Sequence, residues 1–437
     1  MDETAANKLA IDLKTRLLYF AKKAQRKYDY YNADHDTEDF GISVPGKMVN
    51  NRPGIGWASR AVNVIGDRVV FDGFANDTFG INDLLDEINA LPTLNKAKHD
   101  AFIGGCSFVA VSDGKNNKVL IPFTATEATG IVDNDTGMLK MGMAVTSWQK
   151  PAALKKDKNY TFEPKDFVIF TPDFTAIYKD RTITDIIKNP TGRTLLHPLT
   201  HRQSADRPLG KSRITNTARR IINEVGRMKR REEIAEEFYS IPQRYINGLA
   251  EGAKKDDSLD SVIGKVWAIT KDSDGDKPEI GQLAQMSIDQ FETAKKDKAR
   301  DFCAETALTL RNLGYETSNP SSSESLMALS DDMLLEAQTA QTEMGEQIKQ
   351  IAITLRMAID QINVIPDNLK NIMPSWKPIF RVDIGAAGDA MYKLFQVMPE
   401  LIGTTAGYQM LGIGVREAEA LATKRNVSSF TPGGQNG

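Results

Sequence analysis

A lysine and a serine, Lys211 and Ser212, end a stretch that comes close to a phosphate-binding loop, Ala205-Asp-Arg-Pro-Leu-Gly-Lys-Ser212. In such loops a first-position glycine lets backbone N–H groups surround a phosphate, while the lysine neutralises it and the serine hydroxyl binds Mg²⁺. Here Ala205 occupies the glycine position, and Pro208 lacks the N–H that the cradle would use. We therefore interpret Gly210-Lys-Ser as the start of a helix and not as a nucleotide site.

An acidic run, Asp272-Ser-Asp-Gly-Asp276, has the oxygen-rich composition of a calcium loop. A loop of the EF-hand type needs glycine at its sixth position and glutamate at its twelfth. Those positions hold Lys277 and Leu283. The run therefore predicts a solvated turn and no calcium site.

Other groupings that could support catalysis or metal binding are incomplete. His197 and His201 lie four residues apart, but Pro198 opposes the helix that would align them on one face. Paired acids such as Asp331-Asp332 and Glu236-Glu237 point about 100° apart on a helix, so they do not converge on one substrate. The chain also lacks the Gly-x-Ser-x-Gly motif of a serine hydrolase. The sequence predicts no enzyme activity, no metal and no cofactor.

Composition places the chain among ordinary globular proteins. Its 437 residues include 55 Lys and Arg against 58 Asp and Glu, and the sequence pI is about 6.0. A protein that grips nucleic acid usually carries a strongly basic domain, so this balance argues against a nucleic-acid clamp, although on charge alone a mildly acidic enzyme remains open. Cys106 and Cys303 imply no disulfide framework, and the start Met1-Asp-Glu resembles no signal peptide. We expect assembly in the cytoplasm.

Two long helical patterns, Lys211–Phe238 and Met286–Asn312, flank a short strand-like segment that begins at Tyr239. At 1.5 Å per residue these helices would be about 42 and 40 Å long. Two rods of equal length with a small β insert make a stalk with a tip, which suits assembly into a tube. The apolar stripe of the first helix consists of Ile214, Ala218, Ile221, Val225 and Met228.

The remaining patterns predict a mixed α+β chain. Turn signals divide a β-rich region over Phe108–Thr184, and a Pro- and Arg-rich connector follows over Pro190–Pro208. The longest helix is predicted over Ser323–Ile362, and a strand over Trp376–Val382. Further helices are predicted over Thr4–Tyr31, Gly56–Arg68, Asn82–Leu91, Asn95–Ile103 and, in short pieces, Ala386–Arg425.

A polar loop, Gly314–Ser322, joins two of the long helices. Gly314 is suited to end the first helix in the left-handed conformation, and a serine at 321–323 to cap the next. The loop contains no Lys or Arg, so it offers no cation that could bind a phosphate tightly. The basic run Arg227-Met-Lys-Arg-Arg231 is the strongest nucleic-acid signal, but it also fits a solvated helix face or an interface with acidic residues.

Three motifs carry a resemblance to the portal proteins of tailed phages of the siphophage type. The first combines Gly210, Ser212 and Ile214 with Glu237-Phe238-Tyr239 and Pro242-Gln243-Arg244 and resembles the portal stem entry. The second, LGYETSNPSSSESLMAL, resembles the tunnel loop and the helix after it. The third, ASRAVNVIGDRVVFDGF, resembles the early helix and strand of the wing. Their order agrees with the family, and the resemblance extends to about residue 427.

The resemblance implies a portal-type α+β subunit with long stem and tunnel helices, a β-rich wing and a small β-containing clip. A modest crown is expected, since only about forty residues follow Ala386 before the tail. The implied parts are a wing over 1–209, stem helix 1 over 210–238, a clip over 239–285, stem helix 2 over 286–312, a tunnel loop over 313–322, a long kinked helix and return to the wing over 323–385, a crown over 386–427 and a disordered tail over 428–437.

The resemblance further implies a dodecameric ring at the capsid vertex of the virion, a channel for double-stranded DNA during packaging and ejection. Implied partners are the terminase motor, a head-completion adaptor, the scaffold and the major capsid protein, with no membrane involved. The alternatives are a DNA-packaging ATPase or another structural virion protein, such as a minor head protein. The implied tunnel-loop residues are Tyr315, Glu316, Thr317, Ser318, Asn319 and Ser321. Candidate stem charges at the channel or subunit interface are Arg227, Lys229, Arg230, Arg231, Lys295 and Lys298. The clip would present Gln243, Arg244, Lys254 and Lys255.

Overall fold

A computed structural model describes residues 3–37, 53–112, 119–133, 135–149, 163–239, 244–247, 279–282, 287–315, 330–379 and 384–429. Helices and strands are both abundant, which confirms the predicted α+β class. The helices are α1 Glu3–Tyr31, α2 Trp57–Gly66, α3 Ile81–Glu87, α4 Ala90–Gly104, α5 Asn216–Tyr239, α6 Asp289–Thr306, α7 Asp331–Asp360, α8 Asp367–Lys370, α9 Ile384–Val397, α10 Thr405–Met410 and α11 Val415–Ser429.

The strands begin after α2 and continue to the segment that follows α8. They are β1 Phe71–Ala75, β2 Cys106–Ser112, β3 Val119–Thr124, β4 Ala128–Val132, β5 Leu139–Gln149, β6 Glu163–Phe170, β7 Phe174–Lys179, β8 Thr182–Lys188, β9 Leu196–Thr200, β10 Arg244–Asn247, β11 Glu279–Gln282 and β12 Met373–Trp376. Two short 3₁₀ helices cover Leu310–Leu313 and Pro399–Leu401.

The chain divides into two compact units. The larger, unit 1, contains Met1–His35, Gly56–Asn216 and Thr306–Gly437. The smaller, unit 2, contains Asp36–Ile55 and Thr217–Glu305. Unit 2 is therefore built mainly from a segment inserted into the sequence of unit 1.

A five-stranded antiparallel sheet in unit 1, with the order β4-β5-β6-β7-β8, packs against α1. On α1, Ala10, Leu13 and Leu17 recur at steps of three and four, which places them on one helix face. Alternate residues of β6 and β7 point toward that face, as the two-residue period of a strand requires. The strand residues of this core are Met143, Val145, Phe167, Ile169, Phe174, Ala176 and Tyr178.

A three-stranded antiparallel sheet, β3-β2-β9, lies against α4 and α7. Six consecutive residues of β2 are buried, as expected for a strand that is covered on both faces. Strand β9 falls inside Pro190–Pro208, which the sequence analysis predicted to be a connector. That prediction is wrong for Leu196–Thr200, because among the described strands β9 pairs with β2 alone, and such an edge strand tolerates Pro198.

The two predicted stalk helices are shorter and less equal than expected. Helix α5 begins at Asn216, because the preceding residues bond elsewhere: the Arg213 N–H donates to the carbonyl of Phe102. Helix α6 ends at Thr306, because Ala307 adopts a left-handed φ of 53°. With 24 and 18 residues, the helices are about 36 and 27 Å long. The apolar stripe of α5 is confirmed at Ala218, Ile221 and Val225, which are buried.

Helix α7 lies within the predicted Ser323–Ile362, although residues 316–329 are outside the described part of the chain. Gly345 lets α7 approach Pro374 closely, since a Cβ there would lie 3.2 Å from that ring. Strand β12 begins and ends earlier than the predicted Trp376–Val382, because its register is fixed by antiparallel pairing with β1. None of the helices within the described ranges is both long and apolar enough to cross a bilayer.

Candidate functional site

Gly210 forms a tight turn that packs on the ends of β9 and α4. Its φ is +71°, and an added Cβ would lie 2.5 Å from the carbonyl oxygen of His201 and 2.6 Å from that of Gly105. The N–H of Lys211 donates to the His201 carbonyl at 2.7 Å, and the His201 N–H donates to the Gly105 carbonyl at 3.0 Å. The glycine is thus required for close backbone contact, a role that needs no phosphate.

The side chain of Ser212 also forms hydrogen bonds next to this turn. Its buried hydroxyl donates to the carbonyl of Ile103 at 2.6 Å and accepts the N–H of Ile214 at 2.9 Å. The neighbouring Lys211 side chain is exposed. A serine whose hydroxyl is buried and doubly bonded is not placed to bind Mg²⁺, in agreement with the interpretation that this is no nucleotide site. The expectation that Gly210-Lys-Ser begins the helix is wrong, because α5 starts at Asn216.

Arg213 is the centre of a buried network within unit 1. Its guanidinium donates to the carbonyls of Ala61 and Thr306, each at 2.6 Å, and to Glu336 Oε1 on α7 at 2.7 Å. Only 3% of the Arg213 side chain and 11% of the Glu336 side chain are exposed. The network ties the segment before α5 to α2, to the end of α6 and to the first turns of α7.

Two further side chains, Arg202 and His201, approach the same carboxylate. Arg202 forms an ion pair with Glu336, and His201 Nε2 lies 3.3 Å from Glu336 Oε1. Burial would raise the pKa of Glu336, but hydrogen bonds from His201 and Arg202 and the charge of Arg213 outweigh it and hold that pKa far below its usual range. Burial lowers the pKa of Arg213 to about 10, against the attraction of Glu336. Both groups therefore stay charged at neutral pH.

The histidine pair considered as a metal site is divided between different environments. His197 is buried on β9, and burial together with the charge of Arg193 lowers its pKa to about 3. His201 bonds through Nδ1 to the carbonyl of Lys211 at 2.8 Å. Among the described residues, no group of three or more His, Cys, Asp and Glu side chains is arranged to hold a metal ion. The acidic run at 272–276 lies outside the described residues.

The candidate stem charges lie on two helices of unit 2, the arginines and Lys229 on α5 and the other two lysines on α6. Lys295 donates to both oxygens of Glu232 at 2.9 and 2.8 Å, and Lys298 lies 2.9 Å from Glu224, so these lysines of α6 pair with acids of α5. The hydrogen bond to Glu224 raises the pKa of Lys298. Both lysines are thus paired within one copy, and their position at a channel or at a subunit interface stays a prediction.

The basic run on α5 is also divided by burial. Arg230 is buried, with 4% of its surface exposed, whereas Arg231 is exposed. Arg227 and Lys229 are half-buried. The run Arg227–Arg231 therefore does not form one continuous exposed strip, because consecutive helical residues point in different directions.

Of the predicted tunnel-loop residues, the structure describes only Tyr315, whose N–H donates to the carbonyl of Leu310 at 3.1 Å. Gly314 has the predicted left-handed conformation, with φ 87°, and it caps the 3₁₀ helix Leu310–Leu313. Glu316, Thr317, Ser318, Asn319 and Ser321 lie outside the described residues. In the predicted clip, Arg244 begins β10, which pairs with β11, while Gln243, Lys254 and Lys255 also lie outside.

The sequence analysis missed the pairing of Arg213 with Glu336. These residues are 123 positions apart, and nothing local links them. One signal was present: Glu336 directly precedes the apolar Ala337 within the helix predicted over Ser323–Ile362, and an ionised side chain that becomes buried next to such a position needs a partner.

Comparison with known proteins gives a relative for nearly the whole chain. The portal protein of Mycobacterium phage L5 is 22% identical over 420 residues, which cover 90% of this chain and 82% of the relative. A solved structure of the neck of a native GTA particle, computed with C12 symmetry, is 11% identical with a TM-score of 0.46, covering 88% of this chain and 97% of that one. No family model matches the chain. The similarity to a portal protein confirms that the chain is not an enzyme. It likewise confirms, along nine-tenths of the sequence, the resemblance to tailed-phage portal proteins that the three motifs indicate.

Proposed function

We propose that the chain is the subunit of a portal, a ring of twelve copies at one vertex of a phage capsid. The observation that carries this proposal is its similarity to a portal protein over 90% of its length. In this function the ring is the channel through which double-stranded DNA enters during packaging and leaves during ejection. The subunit itself performs no catalysis.

The parts of the ring follow from the resemblance and from the two units. Unit 2 supplies the stem through α5 and α6, and β10 and β11 with the residues between them supply the clip. The sheets and helices of unit 1 before α5 supply the wing, and residues 386–427 the crown. In this assignment stem helix 1 contains α5, which begins at Asn216, and stem helix 2 contains α6, which ends at Thr306.

The ion pairs within unit 2 support a stem role for α5 and α6. Lys295 and Glu232 are only 15% and 9% exposed, so their pair is shielded from solvent and fixes the two helices against each other. A stalk that resists bending is what a ring needs at the end on which a motor acts. The clip would bind the terminase motor and later the head-completion adaptor, and the ring would be built into the shell with scaffold and major capsid protein.

Electron microscopy of the purified full-length chain tests the ring. We expect closed rings with a central hole, and native mass spectrometry should give twelve copies, because a head-to-tail contact with a closing rotation generates a ring. Monomers and dimers alone at micromolar concentration, across low and physiological salt, would contradict the proposal.

Shortening the predicted tunnel loop tests the channel. Replacing Glu316–Asn319 by two glycines should preserve rings and proheads but reduce the amount of DNA packaged or retained. A matched control replaces Asn363 and Val364, in the exposed connection after α7, by two glycines. If the tunnel-loop variant retained full-length genomes at the yield of the control, the segment would be only a connector.

A further inference from the structure

We propose that α5 and α6 present opposite charges to neighbouring copies, so that the basic face of α5 in one copy meets the acidic face of α6 in the next. The basic face is defined by Arg220 and Arg231, and the acidic face by Asp297 and Asp301. This inference rests on the proposed function, because it assigns the contact through which copies of the chain would close a ring.

The charges that α5 and α6 turn toward each other are neutralised inside unit 2. The lysines come from α6 and the acids from α5, in the pairs Lys295–Glu232 and Lys298–Glu224. In these pairs, two acidic side chains of α5 and two basic side chains of α6 neutralise each other. Each helix is therefore left with an excess of the opposite sign on its other faces.

The exposed faces carry that excess. From Asn216 to Glu236 the exposed charged side chains of α5 are Arg220, Arg231 and Glu236. The two arginines are eleven residues or about three turns apart and hence on one side of the helix, whereas Glu236, five residues after Arg231, points to another side. On α6 the exposed acids outnumber the exposed bases, Asp289, Glu292, Asp297, Asp301 and Glu305 against Lys296 and Arg300.

Pairing within α6 does not neutralise its acidic face. Asp297 contacts Arg300 at 2.5 Å and Asp301 contacts Lys298 at 3.6 Å, both three residues apart. The side chains of Asp297 and Asp301 are 58% and 60% exposed. Exposed pairs of this kind are weak and exchange readily, so both carboxylates can accept an arginine from another copy.

The rotation that relates neighbouring copies determines which residues lie opposite each other in this contact. A rotation that closes a ring leaves each residue at the same height along the ring axis. Within one copy, Glu224 is level with Lys298, and the two helices run in opposite directions. For helices that run along the axis, Arg220, one turn before Glu224, is level with Asp301, one turn after Lys298. A planar guanidinium matches a carboxylate at such a site.

Charge reversal tests the contact. The basic-face variant Arg220→Glu/Arg231→Glu and the acidic-face variant Asp297→Lys/Asp301→Lys should each lose rings at physiological salt, because like charges then face each other. An equimolar mixture should restore rings in which the variants alternate, because both kinds of contact become complementary again. Lys96→Glu/Lys179→Glu, which changes the net charge by the same amount as the basic-face variant but at exposed positions outside unit 2, is the control and should form rings alone.

The outcomes separate this inference from the proposed function. A wild-type chain that forms no ring under any salt condition would refute the portal proposal and this inference with it. Rings formed by wild type and by both charge-reversed variants alike would overturn only the inference. Loss of rings in each variant without recovery in the mixture would also overturn it, since the loss would then reflect folding or another surface. As a second readout, Arg220→Cys/Asp301→Cys should give oxidant-dependent covalent ladders that Arg220→Cys alone does not give.

Discussion

Replacing Glu336 by glutamine should destabilise unit 1 strongly while changing its shape very little. The substitution keeps the size of the side chain and one carbonyl oxygen, but it removes the negative charge that pairs with Arg213 and Arg202. Arg213 is the partner that matters most, because its side chain is only 3% exposed and cannot regain water without local unfolding. Removing one member of a buried ion pair leaves the other charge buried and uncompensated.

The contacts of the network set the size of the effect. Breaking a buried pair in this way typically costs about 3–5 kcal/mol. In the variant, Arg213 still donates hydrogen bonds to the carbonyls of Ala61 and Thr306. These bonds partly stabilise its charge, so the loss of stability should fall at the lower end of this range. Arg202 is half exposed, so its pair with Glu336 adds less than about 1 kcal/mol. We expect Glu336→Gln to lower the free energy of unfolding of unit 1 by about 3 kcal/mol.

Urea denaturation followed by tryptophan fluorescence and circular dichroism measures this loss. The matched control is Asp367→Asn, which also neutralises one carboxylate in an ion pair, here an exposed pair with Lys370. The control should leave the midpoint where it is, because solvent screens exposed pairs. Equal midpoints for wild type, Glu336→Gln and the control would refute the reasoning that the buried carboxylate neutralises Arg213.

Three further predictions follow from the same turn and network. The pKa of Glu336 in the folded state lies below its ordinary value of 4.5, so the stability that its charge contributes is present above pH 4.5 and is lost as pH falls. In urea titrations, the difference in the free energy of unfolding between wild type and Glu336→Gln should therefore shrink between about pH 7 and pH 3. Gly210→Ala should yield little soluble protein, because the added Cβ would lie 2.5 Å from the His201 carbonyl oxygen at a φ of +71°. The control is Gly137→Ala, which has a similar φ of +70° but no atom within 4 Å of the added Cβ, so that the two variants differ in the steric clash. Calorimetry should detect no ATP binding by wild type or by Lys211→Ala, and binding that this substitution abolished would reopen the nucleotide-site interpretation.

Local signals in the sequence located the elements that are amphipathic or sharply ended. Helix α1 matches its prediction within one residue, because Leu13 and Leu17 fall on a clear stripe and the helix is long. The left-handed Gly314 was also predictable, since glycine adopts that conformation without a Cβ clash. The α+β class followed from the same patterns.

Contacts between distant residues explain what the sequence did not reveal. The start of α5 is set by bonds from Ser212 and Arg213 to residues of α4, which no local pattern records. Strand β9 was hidden by its proline, which only an edge position permits. At the candidate site, the basic run of α5 predicted charge correctly but could not show that Arg230 is buried while Arg231 is exposed.

The insertion of unit 2 into the sequence of unit 1 has a consequence for synthesis on the ribosome. Arg213 is synthesised 123 residues before Glu336. At a translation rate of roughly 5–20 residues per second, about 6–25 s pass between the synthesis of the guanidinium and that of the carboxylate that neutralises it. The nascent chain meanwhile delivers all of 217–305, so the inserted unit has time to fold while its host is still incomplete. Because Arg213 also bonds the carbonyl of Thr306, the two ends of the insertion are joined by a contact that belongs to the host alone. Such a junction would let the inserted segment be exchanged for another without changing the contact that closes unit 1 around it.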